Sequence, residues 1–109
     1  EINITRGLLN ISILHTSASL LIQENADDLV LKDLENYFMQ TVPFNRKYLH
    51  QSEGKDDMPA HIKVALTNTN ITLSIADKKL ILGVWQGIFL FEHRLSKKNR
   101  KLILHYIGN

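Results

Sequence analysis

The chain has no cysteine among its 109 residues. Disulfides, thiolate nucleophiles and zinc–thiolate sites are therefore excluded, and any metal must be held by nitrogen and oxygen ligands. There is no glycine-rich phosphate loop, no nucleophile elbow and no His-Glu-x-x-His helix. No apolar run is long enough to span a membrane, and Glu1 to Thr5 lacks the basic and apolar regions of a signal peptide, so neither a membrane partner nor export is expected and the expected compartment is the cytoplasm. Repeats, linkers and low-complexity segments are also missing.

What is there fits one α+β domain spanning residues 1–109, large enough at 12.5 kDa to fold without metal or disulfide staples. The formal charge is +2, and Lys97, Lys98, Arg100 and Lys101 concentrate positive charge in one stretch. A solvated turn between strands accounts for them better than a nucleic-acid patch, and no nucleic-acid partner is expected. A phosphate-bearing small molecule would also suit them.

Periodicity sets out the elements. Glu1 to Thr5 has a short edge-strand pattern, and Gly7 to His15 places Leu9, Ile11 and Ile13 on one face. Asp27 to Val42 reads as a helix with a stripe of Val30, Leu34, Tyr37, Phe38 and Thr41, ended by Pro43. Asp33 lies on the stripe's margin, so its carboxylate is expected to face the protein. Phe44 to Asp57 reads as a loop, Pro59 opens a second helix to about Thr67, and Asn70 to Ala76 alternates before a turn at Ala76-Asp77-Lys78-Lys79. Leu80 to Phe91 is apolar almost throughout and reads as a strand covered on both faces, by the core and by a subunit neighbour. Lys101 to Ile107 is the last strand.

Polar residues at strand ends, helix margins and loops are the candidates for chemistry. They are His15, Thr16, Ser17, Asn25, Asp33, His50, Asp57, His61, Gln86, Glu92 and Arg94. Carboxylates on an otherwise apolar face need partners, and histidine, arginine or a metal can supply them. The spacing of His50 and His61 is compatible with converging ligands but does not signal zinc by itself.

Four runs carry more than periodicity does. His15-Thr-Ser-Ala-Ser-Leu-Leu-Ile-Gln-Glu-Asn25, then His50, then Asp57-Met-Pro-Ala-His61-Ile-Lys, then Leu82-Gly-Val-Trp-Gln-Gly-Ile-Phe-Leu-Phe-Glu-His-Arg94 together resemble the YjbQ-like family, labelled secondary thiamine-phosphate synthases. Val84 stands where threonine is common. The resemblance implies an antiparallel β-sandwich or barrel-like sheet with two helices, assembled as a homotrimer with polar sites near subunit boundaries. It also implies a helix between the first strand and the Gly7-Leu8-Leu9 strand, so Thr5 and Arg6 are expected to flank a missing segment. The implied reaction joins a pyrimidine diphosphate to a thiazole phosphate, with a divalent ion, magnesium or zinc, offsetting the leaving group's charge.

By motif position His15, His50, His61 and Glu92 are then the catalytic candidates, with the three histidines as metal ligands. Thr16, Ser17, Asn25, Asp33, Asp57, Gln86 and Arg94 are the binders of a phosphorylated small molecule. The absence of a dedicated diphosphate motif points to a different or additional principal activity. The alternative is a non-catalytic trimer that binds a metal or a phosphorylated metabolite.

Overall fold

The computed structural model describes residues 3–109. The elements run β1 (Arg6–Ile13), β2 (Ala18–Glu24), α1 (Asp28–Thr41), α2 (Asp57–Ala65), β3 (Asn70–Ala76), β4 (Lys79–Leu80), β5 (Gln86–Glu92) and β6 (Leu102–Gly108). Alternation builds the larger sheet: Leu9, Ile11 and Ile13 of β1 and Ile71, Leu73 and Ile75 of β3 are buried on one face, while Thr72 and Ser74 between them are exposed. The strand order is β4-β3-β1-β6, all antiparallel. β2 and β5 pair antiparallel as a separate ribbon, and Ala18 and Leu20 of that ribbon close the core over β1 and β3. Asp77 and Lys78, at φ of 52° and 64°, make the tight β3–β4 turn.

β2 was not anticipated as a strand. The run Leu80 to Phe91 is not one strand either. β4 ends at Leu80, a turn closed by Gln86 N–H donating to Gly83 O at 3.0 Å reverses the chain, and β5 continues in the other sheet. Of the apolar residues between the two strands only Leu82 is half-buried, while Ile81, Val84 and Trp85 are solvent-facing, Val84 at 79% and Trp85 at 63% exposure. Of the expected first strand, residues 1–2 lie outside the described residues, and residues 3–5 form no strand. Thr5 and Arg6 both donate their amides to Asn109 O.

Asp27 caps α1 by accepting from Leu29 N at 2.9 Å, which satisfies an otherwise free amide. Leu31, Leu34 and Phe38 face the β2–β5 ribbon, with Phe38 edge-on to Phe91 at 5.5 Å, while Val30 is half-buried. The ribbon covers only a narrow row of the helix. Tyr37, Thr41 and Asp33 are consequently exposed, so the expectation that Asp33 faces the protein is corrected. α2 begins two residues before Pro59, which the first turn accepts because its missing N–H has no helical partner there.

Gly7 and Gly108 face each other across β1 and β6. A Cβ on Gly7 would lie 2.0 Å from Ile107 O, so only glycine permits this backbone approach. β6 itself is exposed throughout. Leu102, Leu104 and Tyr106 pair with the residues of β1 that point into the core, yet remain 41%, 57% and 42% exposed. The radius of gyration is 16.1 Å, against roughly 13 Å for a compact chain of this length.

Candidate metal centre

α2 places Asp57 and His61 one turn apart, so both side chains stand on one face. The preceding loop returns His50 to the same point. His50 Nε2 lies 2.8 Å and His61 Nε2 3.0 Å from a single oxygen, Asp57 Oδ2, and one ligand atom from each residue falls within 4.8 Å of the other two. Ligands at about 2.1 Å around a tetrahedral ion stand roughly 3.4 Å apart, so side-chain adjustments on the order of an ångström open the triad to a metal.

His61 sharpens the fit. Its Nδ1 lies 2.7 Å from Thr16 O, which only accepts, so Nδ1 carries a hydrogen and Nε2 is the ligand atom. A cation on Nε2 would leave the Thr16 bond in place to fix the tautomer.

Arg94 braces this centre from behind. Its Nη1 donates to Asp57 Oδ1 at 2.8 Å, its Nε to Asp56 Oδ2 at 2.9 Å and its Nη2 to Glu53 O at 2.9 Å. Leu95 N also donates to Asp56 Oδ2. Burial alone would raise the Asp57 carboxyl, but the His50 hydrogen bond and the charges of His61 and Arg94 outweigh it and hold the group below the usual carboxylate range. Asp56 is lowered in the same way, burial being outweighed by Arg94 and the Leu95 amide.

Glu92 is close by in sequence but differently used. Arg100 Nε donates to Oε1 at 2.8 Å, Arg100 Nη2 pairs with Oε2, and Arg94 N donates to Oε2 at 3.0 Å. Burial would raise this carboxyl, yet Arg100 and the backbone amides keep it low. With both oxygens engaged it serves as a clamp between β5 and the segment before β6. Ser17 joins the clamp through its carbonyl, which accepts from Arg100 Nη2 at 3.1 Å and His93 N at 3.2 Å.

The structure therefore gathers His50, Asp57, His61 and Arg94, with Thr16, Ser17 and Glu92 beside them. Thr16 contributes its backbone carbonyl to the centre. His15 does not join: its Nε2 accepts from Lys101 N at 2.7 Å, tying the end of β1 to the start of β6. Asp57 takes the third ligand position expected for His15. Asn25 and Gln86 lie at the opposite end of β5 from Glu92, roughly 20 Å away along the strand. There Asn25 Nδ2 donates to Val84 O and Gln86 O, and Gln86 Oε1 accepts from Gly83 N. Asp33 stands exposed on α1.

Residues 1–109 match the family described as UPF0047 protein YjbQ-like. A UPF0047 protein of Synechocystis is 52% identical over 103 residues, covering 94% of this chain and 70% of the relative. YjbQ of Salmonella typhimurium is 48% identical over 97 residues, covering 89% and 70%. The chain belongs to the YjbQ-like family. The crystal structure of an uncharacterized YjbQ/UPF0047 protein from Clostridium acetobutylicum superposes with a TM-score of 0.86 at 31% identity, covering 95% of this chain and 78% of that one. The YjbQ-like architecture of antiparallel sheets with two helices is thereby shared with a solved relative.

Sequence reasoning missed Asp56, Lys63 and His93, although the last two stand inside the YjbQ-like motifs, and it read Arg100 as part of a basic turn rather than as the partner of Glu92. Asp56, Lys63 and His93 are buried. The signal was Lys63, a charge on the inward face of a short helix otherwise lined by Pro59 and Ala60. No described helix is long and apolar enough to cross a membrane.

Proposed function

We propose that this chain is a metal-dependent enzyme acting on a phosphorylated small molecule, with a divalent ion held by His50, Asp57 and His61. The carrying observation is Asp57 Oδ2, one carboxylate oxygen approached by two imidazole nitrogens while Arg94 holds the other oxygen. Two nitrogens and one oxygen favour zinc or a similar borderline ion over magnesium, which prefers oxygen. When bound, the ion supplies Lewis acidity toward a phosphoryl or carbonyl oxygen. Arg94 keeps Asp57 ionised and aimed, and Thr16 O fixes the His61 tautomer.

A cleft of about 240 Å³ beside His50 is lined by Phe44, Arg46, Tyr48, Gln51, Gly54 and Lys55. Arg46 and Lys55 supply the positive charge that a phosphate requires. In this reading the condensation implied by the thiamine-phosphate synthase label is a secondary activity and the principal reaction differs.

The active unit is a homotrimer in the same reading. Support comes from the uncovered apolar residues Leu102, Leu104 and Tyr106 and from the extended shape, since apolar surface of this kind marks association sites. Light scattering should return three times the chain mass.

Calorimetric titration of metal-free protein with Zn²⁺ should give one site per chain, weakened at least about 100-fold in Asp57→Asn and His61→Ala. Equal affinity in those variants would sink the metal centre. Hydrolysis or transfer on phosphorylated substrates should follow metal occupancy. Metal-dependent stabilisation with no turnover across such a panel would instead establish a binding module.

A further inference from the structure

Across Phe44 from the His50 cleft lies a second hollow, about 210 Å³ in volume, between α1, α2 and the end of β5. Its walls include Phe38, Phe44, Phe91, Lys63, His93 and Arg94. Lys63 is 5% exposed and has no carboxylate within 4.0 Å among the described residues. Its Nζ lies 5.5 Å over the Phe44 ring. An ammonium without a counter-charge is seldom buried unless a ligand or partner answers it.

His93 is 4% exposed, and its Nδ1 is buried with no hydrogen-bond partner. Its other nitrogen, Nε2, is 2.9 Å from Ser19 Oγ. The walls of one hollow therefore combine a lysine without a carboxylate partner and a histidine with a buried, unpartnered ring nitrogen, an uncommon arrangement in a folded protein.

We propose that this hollow is a binding site for the phosphate of a small aryl phosphate, seated on Lys63 with its flat apolar body among Phe38, Phe44 and Phe91. Ser19 donates its hydroxyl hydrogen to His93 Nε2, so His93 carries its hydrogen on Nδ1, and a slight tilt of the ring brings that N–H to a phosphate oxygen. Arg94 spends three of its five N–H groups on Asp56, Asp57 and Glu53 O and has two left for the same anion. Glu35 and Glu92 also line the hollow. Glu92 is neutralised by Arg100, and Glu35 is exposed and solvated.

The site deepens the phosphorylated-ligand half of the proposed function and is independent of its metal half. Two anion sites sharing the Phe44 wall suit a reaction between two phosphorylated molecules.

The test uses metal-free protein and phenyl phosphate, with inorganic phosphate and phenol as its two halves. Phenyl phosphate should bind at least about tenfold more tightly than either half, and at least about tenfold more tightly than it binds Lys63→Met. His61→Ala should retain this binding, which separates the site from the metal centre. Ligand-free Lys63→Met should melt no lower than the parent, because methionine keeps the buried apolar stem and removes a charge that has no carboxylate partner within 4.0 Å among the described residues. The His93 ring nitrogen signals in NMR should report hydrogen on Nδ1 and shift on adding phenyl phosphate, a readout available even if the variant fails to fold. Equal affinity in Lys63→Met, no binding by the parent, or an unmoved His93 signal would each overturn the proposal.

Discussion

Asp57 and Lys63 are both buried charges on the same short helix, and their surroundings are opposite. Asp57 meets two imidazoles and a guanidinium. Lys63 meets the Phe44 ring and an open hollow, and burial lowers its basicity with only partial compensation from Asp56 and Glu35. A charge whose partners are all built into the fold acts on neighbours already fixed in place. A charge left without partners makes the fold bear a cost that something else must offset.

The largest effect that would break this contrast is expected at Arg94. Arg94→Ala leaves Asp56 and Asp57 buried without their cation and should cost about 3–5 kcal/mol, measured by urea denaturation. A loss under about 1 kcal/mol would mean that the remaining hydrogen bonds, from the two histidines to Asp57 and from Leu95 N to Asp56, suffice without the guanidinium.

A somewhat smaller effect belongs to His93. Burial, reinforced by the charge of Lys63, pushes its imidazole down to about 4 from an ordinary 6.5. The native state thus resists protonation more than the unfolded chain, and stability should fall as pH drops from 6.5 toward 4, then stop changing on this account. At about 1.4 kcal/mol per pH unit the whole loss is of order 3 kcal/mol. His93→Gln should flatten the slope of the urea midpoint across that window. The carboxylates act lower: Asp56, Asp57 and Glu92 are all held below their ordinary values, so their stabilisation is intact above about pH 4.5 and disappears under still more acid conditions.

The smallest effect lies at the far end of the ribbon. Gln86→Ala removes the acceptor for Gly83 N and should cost about 1 kcal/mol while leaving zinc affinity unchanged. A drop in zinc affinity would show that the two ends communicate, contrary to their separation within one chain.

The strand and helix pattern was legible where one face is buried. β3 alternates as expected, and Asp27 with Pro43 brackets α1 closely. Leu80 to Phe91 misled because uninterrupted apolarity does not distinguish a buried strand from a turn carrying exposed Val84 and Trp85. In the site, motif wording located His50, Asp57, His61 and Arg94 but could not separate them from His15, since all five are polar residues in recurring runs. What separates them is orientation. His15 is consumed by the Lys101 amide, a pairing set by the β1–β6 register and invisible to local spacing.

That register joins Gly7 to Gly108, so nearly the whole chain is the loop that the β1–β6 ladder closes. Such pairing is entropically late and slow, because a long loop must be ordered before its contacts reward it. The Arg100 clamp on Glu92 lies just before β6 and the His15 bond lies at its threshold, so both should mature with this last closure. The α2 centre, whose His50, Asp57 and His61 lie near one another in sequence, can assemble early, and metal affinity should appear during refolding before the full sheet does.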